Sequence, residues 1–252
     1  MSYEAEITRE DLDKYLRDLG KEFRRLNRKK MPAEIVIIGG ASVLINYAFR
    51  DVTTDVDAII QASSAMQDAI NRVSDKYGLP YGWLNTDFRK TDSYTPKLLQ
   101  YSSYYRTYSN ILSVRTVKGE YLVAMKVRSG RNYKYDMSDI VSILRAHEEA
   151  GSPLTYEQID IAMNNLYGGW ENAAENVVAF LKNTLASGNY DELYLHSREE
   201  EIFNRANKFS QIKESLPDDV YHAGPAGDSE AGEPEMADLA TILARIEELE
   251  RR

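Results

Sequence analysis

Apolar positions follow two rhythms along the chain. Residues 8–28 set Leu12, Tyr15, Leu16, Leu19, Phe23 and Leu26 at the three- and four-residue spacing of one helix face, with Thr8 as N-cap ahead of Asp11. This amphipathic helix is expected to pack on a sheet. Residues 34–38 change the rhythm: a short β-branched run closed by Gly39 and Gly40 reads as a buried strand entering a tight turn. Helical spacing returns over 41–49 through Val43, Leu44, Tyr47 and Ala48, and a second strand follows at 53–60, Thr-Thr-Asp-Val-Asp-Ala-Ile-Ile. Beyond it the pattern predicts a helix over 63–77, a strand over 111–117, a turn at Lys118-Gly119-Glu120, and helices over 121–129 and 138–150. Strands alternating with helices predict a mixed α/β core.

The second half is helical in pattern, with segments at 155–166, 170–186 and 191–209 that suit a bundle continuing from the core. Tyr167-Gly168-Gly169-Trp170 joins two of these helices and follows no strand, so it reads as a helix C-cap rather than a phosphate loop. Residues 223–235 have the Gly, Pro and acidic composition of a linker, and 236–252 carry Leu239, Ile242, Leu243, Ile246 and Leu249 on one helical face. That stripe can dock on its own domain, on a second copy or on a partner. The expected plan is therefore an α/β domain over 1–150, a helical domain over 151–222, a flexible linker and a terminal amphipathic helix.

One segment proposes a chemistry. Gly39 and Gly40 sit where a strand gives way to a helix, and the first N–H groups of a helix are unpaired and lie at the positive end of its dipole. Such a turn suits the phosphates of a nucleoside triphosphate. Asp55 and Asp57 lie at i and i+2 on the following strand, which sends both carboxylates to the same side. Two like charges so placed repel unless a cation lies between them, and hard oxygen donors select Mg²⁺ or Mn²⁺. Either motif alone is commonly a turn or a solvated strand end. Their order, and Ala58-Ile59-Ile60 directly after the acids, place the pair at the border of a buried sheet.

Composition narrows the alternatives. With no cysteine, disulfides, thiolate catalysis and Cys-ligated zinc are excluded, and His147, His196 and His222 lack the spacing of a zinc helix. No Gly-Lys-Ser/Thr follows the first strand, which disfavours a P-loop NTPase. A charged, polar start and the lack of any apolar run of membrane-spanning length lead to the expectation of a cytoplasmic protein without membrane contact. The net charge of −9 is uneven: between Lys97 and Lys134 eight basic residues face the single acid Glu120, with tyrosines interleaved. That stretch suits an RNA partner through phosphate contacts and stacking, and equally suits a solvated face over packed tyrosines.

Gly39-Gly40-Ala41-Ser42, a helix, and then Thr53-Thr54-Asp55-Val56-Asp57-Ala58-Ile59-Ile60 resemble the signature of the nucleotidyltransferase superfamily with a DNA polymerase β-like core. Gly82-Trp83-Leu84-Asn85, and Leu122-Val123-Ala124-Met125-Lys126 followed by Arg131, Asp136 and Asp139-Ile140, are similar to prokaryotic nucleotidyltransferase-like proteins related to the AbiEii and MenT toxins of toxin–antitoxin systems. The resemblance covers about residues 30–145. It implies a polymerase β-like core with a mixed sheet, transfer of a nucleoside monophosphate to an acceptor such as a tRNA-like RNA 3′ end, and a possible antitoxin partner. Within it, Asp55 and Asp57 hold the metal, Gly39, Gly40 and, as a further candidate, Ser42 contact phosphate, and Lys126 with Arg131 assists the triphosphate. Asp136 matches the acid that follows the lysine, with Asp139 as a substitute, and reads equally well as the N-cap of the helix over 138–150. A module that keeps the fold and binds or regulates without catalysis stays open beside the enzyme.

Overall fold

The Thr8 hydroxyl accepts the Asp11 N–H at 3.1 Å while the Asp11 carboxylate accepts the Thr8 backbone N–H at 3.4 Å, so a capping box starts the first helix where the sequence places it. The structure, a computed structural model, describes residues 6–28, 31–47 and 49–215. The expected linker at 223–235 and helix at 236–252 lie outside the described residues. In chain order the elements are β1 (Ile7–Thr8), α1 (Arg9–Leu26), β2 (Ala33–Ile37), α2 (Gly39–Asn46), β3 (Val52–Thr53), β4 (Val56–Gln61), α3 (Ala65–Tyr77), β5 (Leu84–Asn85), β6 (Ser102–Tyr108) and β7 (Leu112–Val117). Five further helices follow: α4 (Gly119–Ser129), α5 (Asp136–Glu149), α6 (Tyr156–Tyr167), α7 (Glu175–Ser187) and α8 (Tyr190–Ser215).

The fold is mixed α/β. Five strands form one sheet in the order β5-β4-β2-β7-β6, with β2 antiparallel to β4 and parallel to β7, and β1 pairs with β3 apart from it. Alternation along β2 divides the core: Ile35 and Ile37 join the cluster with α1 and α3, whereas Val36 and Ile38 join the one with α4, α5, α6 and α7. The apolar stripe of α1 is buried at Leu12, Leu16, Leu19 and Phe23, as expected for a helix on a sheet. Because the second cluster runs from the sheet into α6 and α7, the helical half shares a core with the α/β part. No described helix is long and apolar enough to cross a membrane.

Two expectations about the elements are corrected. Residues 170–174 are not helical: Gly168 and Gly169 both have positive φ, the Trp170 ring stacks on Tyr156, and its indole N–H donates to Asp160, so the helix starts only at Glu175. Gly168 itself is the α6 C-cap, in the left-handed conformation, as the sequence suggests. Asp55 lies just ahead of β4 rather than within the strand.

α8 docks on α5 through a buried carboxylate. Glu201 accepts the backbone N–H groups of Met137 at 2.7 Å and Ser138 at 3.2 Å and the Ser138 hydroxyl at 2.6 Å, satisfying donors at the start of α5. Burial pushes the Glu201 carboxyl up to about 7 from 4.5, against the lowering effect of those hydrogen bonds. A carboxyl raised in the folded state favours folding while protonated. Its contribution is whole below the unfolded value and is lost as pH rises through about 7. Glu201→Gln is therefore expected to be more stable than the wild type by roughly 2–3 kcal/mol at about pH 8 and nearly equal to it at about pH 5. Thermal melts at the two pH values check this, and a difference that does not change with pH refutes it.

Candidate active site

The antiparallel pairing of β2 with β4 sets the glycine turn beside the acids. Ile37 pairs with Ala58, the Ile38 N–H donates to the Asp57 carbonyl at 3.0 Å, and Gly39 follows immediately. Gly39 adopts φ +57°, where a side chain is strained, and a Cβ there would stand 3.5 Å from Asp57 Oδ2. Gly40 is small for another reason: a Cβ would lie 2.9 Å from the Arg50 guanidinium. Both glycines, Arg50, Asp55 and Asp57 line a cavity of about 480 Å³, within the roughly 300–1,000 Å³ of small-molecule sites. The Asp57 carboxyl is pushed up to about 7, first by burial and then by the charge of Asp55, with Asp87 adding and Lys134 and Arg131 opposing. Asp55 and Asp57 stand as a pair: among the described residues no cluster of three or more His, Asp or Glu forms a metal-binding group.

The other wall is a buried ion network. Lys126 of α4 sets its Nζ 2.8 Å from Asp136 Oδ1 and 2.8 Å from Asp139 Oδ2. Arg131 donates to Asp136 Oδ2 through Nε at 3.0 Å and through its backbone N–H at 3.2 Å, and Arg50 Nη1 reaches Asp139 Oδ2 at 3.1 Å. Asp136 is wholly buried; burial alone would raise its carboxyl, but Lys126 and Arg131 hold it well below the usual carboxylate range. For Lys126 burial acts downward and the two aspartates outweigh it, so the ammonium stays charged.

Asp136 and Asp139 serve the cations of this network and join no metal-binding cluster among the described residues. Two expectations are corrected. Asp136 is not the N-cap of α5, because it is the first residue of the helix and the start is capped by Glu201. Ser42, expected at phosphate, is fully buried with its hydroxyl accepting the Val117 N–H at 3.2 Å, which ties α2 to β7 and turns it away from the cavity.

A family model described as nucleotidyltransferase of unknown function (DUF6036) matches residues 14–147, more than half of the chain. The chain belongs to this nucleotidyltransferase family. Among solved structures, an antigenic nucleotidyltransferase-like protein from Paracoccidioides brasiliensis is similar at 16% identity and a TM-score of 0.37, covering 71% of this chain and 95% of that one. No curated protein matches the sequence. The nucleotidyltransferase family match spans every residue lining the cavity except Arg205, which α8 brings in.

Arg50, Asp87 and Arg205 line the cavity and belong to no motif of the sequence. Arg50 carried a weak signal, a lone cation between the helix after the glycines and the acidic strand. Arg205 carried none, being far along the chain. The basic stretch from Lys97 to Lys134 is spread over several faces: Lys97 donates to the Asn165 carbonyl, Arg106 pairs with Asp13 of α1, Arg115 holds Ser102, and Arg128 donates to the Asp92 carbonyl. Only Lys126, Arg131 and Lys134 of that stretch line the cavity, with Tyr133 and Tyr135.

Proposed function

We propose that the protein transfers a nucleoside monophosphate from a nucleoside triphosphate to an acceptor hydroxyl, with Mg²⁺ or Mn²⁺ held at Asp55 and Asp57. The observation that carries this is the Asp55/Asp57 pair beside the Gly39-Gly40 turn, with Asp57 pushed up to about 7 by burial and by its neighbour. A donor set of two carboxylates fits a hard divalent ion, whose other positions water and phosphate oxygens fill. A bound ion would supply charge neutralisation and alignment for in-line displacement. The chain's own residues do the rest. The α2 N-terminus and Arg131 meet phosphate oxygens, and Lys126 fixes Asp136 and Asp139 so that Arg131 and Arg50 stay at the cavity wall. The acceptor hydroxyl gives up its proton to solvent as its oxygen bonds to the α-phosphorus, the bond to the bridging oxygen breaks, and pyrophosphate leaves.

For the acceptor we favour an RNA 3′ end, since Tyr133 and Lys134 at the cavity offer a stacking face and a phosphate contact. The likeness to AbiEii and MenT supports a toxin role, with an antitoxin or a second copy engaging the stripe over 236–252. A second reading, a binding module without catalysis, draws on the commitment of Asp136 and Asp139 to ion pairs. Incubation with each labelled nucleoside triphosphate, Mg²⁺ and total RNA, followed by separation of RNA from protein, discriminates these. Label is expected in RNA. Label in protein reassigns the acceptor, and label in neither, with nucleotide unconsumed, sinks the enzyme.

A further inference from the structure

We infer that α8 is a wall of the nucleotide site, in which Arg205 holds the tail phosphates of the triphosphate and Arg198 positions it through Tyr135. Arg198, Glu201 and Arg205 recur at helical spacing on one face of α8. Each meets the segment that carries Asp136. Glu201 fastens the helix to the Met137 and Ser138 N–H groups, directly after that aspartate. The Arg198 guanidinium lies 3.8 Å over the Tyr135 ring, and Arg205 Nη1 donates to the Tyr135 hydroxyl at 3.2 Å. Arg50 approaches the same ring from the glycine side, at 5.9 Å.

Three guanidinium groups thus surround one aromatic ring, and two of the three residues, Arg50 and Arg205, line the cavity with Asp55 and Asp57. Arg50 is matched by Asp139, but among the described residues neither Arg198 nor Arg205 has a carboxylate within ion-pair distance. Arginines and two carboxylates lining one cavity match a ligand with several anionic groups in a row. One end meets the acids through a metal ion, and the other meets arginine, whose planar fork suits phosphate oxygens. The inference rests on the nucleotidyl-transfer reading. It adds that residues beyond the family-matched segment complete the site.

The test uses the full chain, Mg²⁺, and titration calorimetry with inorganic tripolyphosphate, orthophosphate and a nucleoside triphosphate. Arg205→Ala is expected to weaken tripolyphosphate binding about tenfold while the melting temperature stays at the wild-type value. Arg205→Lys is expected to recover part of the loss. In the labelled transfer, Arg205→Ala and Arg198→Ala should raise KM for the nucleotide more than they lower kcat, with Arg198→Lys restoring it through the same ring contact. Wild-type affinity for tripolyphosphate in Arg205→Ala overturns the inference alone. So does equal binding of orthophosphate and tripolyphosphate by the wild type, which marks a general anion site. If the wild type binds neither tripolyphosphate nor any nucleoside triphosphate, the nucleotidyl-transfer reading itself fails and this one with it. Should Arg205→Ala melt early, Arg205→Gln, which keeps most of the stem, carries the same expectation.

Discussion

Lys126→Ala is expected to destabilise the fold by about 3–5 kcal/mol, a large share of the total stability of an ordinary domain. The ammonium stands 2.8 Å from each of two buried carboxylates, and its removal leaves Asp136 with Arg131 alone and Asp139 with Arg50 alone. A buried charge that loses a partner cannot recover hydration, so the cost exceeds that of an exposed pair. Pairing the change with Asp136→Asn is expected to restore part of the loss, because the stranded charge is removed as well. The folded carboxyl of Asp136 is lowered, so its contribution is present above the unfolded value of 3.8 and fades as acid protonates it. The gap between variant and wild type should therefore narrow in strong acid. Urea unfolding of the single and double variants, at neutral pH and in acid, measures both effects. A loss under about 1 kcal/mol would mean that Lys126 behaves as a surface lysine.

How much of this was legible in the sequence depends on how local the cause is. The α1 stripe, its Thr8 cap and the β2 strand are written in consecutive side chains, and they fold as their pattern indicates. The two-residue strands β1, β3 and β5 are defined by the partners they meet rather than by any rhythm of their own. β6 escaped for another reason. Its buried residues are Ser102 and Tyr108 at the two ends, the middle is mostly exposed, and a register shift between Tyr104 and Arg106 breaks the alternation. The same division runs through the site. Gly39, Gly40, Asp55 and Asp57 come together through the pairing of neighbouring strands, so sequence order carries them. Ser42 also lay in that motif, but its position on α2 turns it toward β7, a matter of helix phase. Arg50 and Arg205 act through packing alone, and no motif announces them.

Asp57→Asn is expected to abolish transfer and at the same time make the metal-free protein more stable. The folded carboxyl of Asp57 is raised from 3.8 to about 7, so it favours the fold when protonated and opposes it once ionised. Its favourable contribution is whole below 3.8 and is lost as pH rises through about 7. With a chelator present at about pH 8, the asparagine variant, which carries no charge to bury beside Asp55, should gain roughly 2 kcal/mol over the wild type. At about pH 4 the two should melt together. Adding Mg²⁺ reverses the order of the argument: a cation that binds the folded pair and not the unfolded chain raises the wild-type melting temperature and leaves that of the variant nearly unmoved. Transfer should fall by about 10³-fold or more, the scale of losing several kcal/mol of stabilisation at the reacting phosphate. The two readouts separate the causes, because a merely structural aspartate would lose stability when replaced. If Asp57→Asn melts like the wild type in chelator and both respond equally to Mg²⁺, the pair does not hold the ion, and the destabilising charge beside Asp55 needs a different purpose.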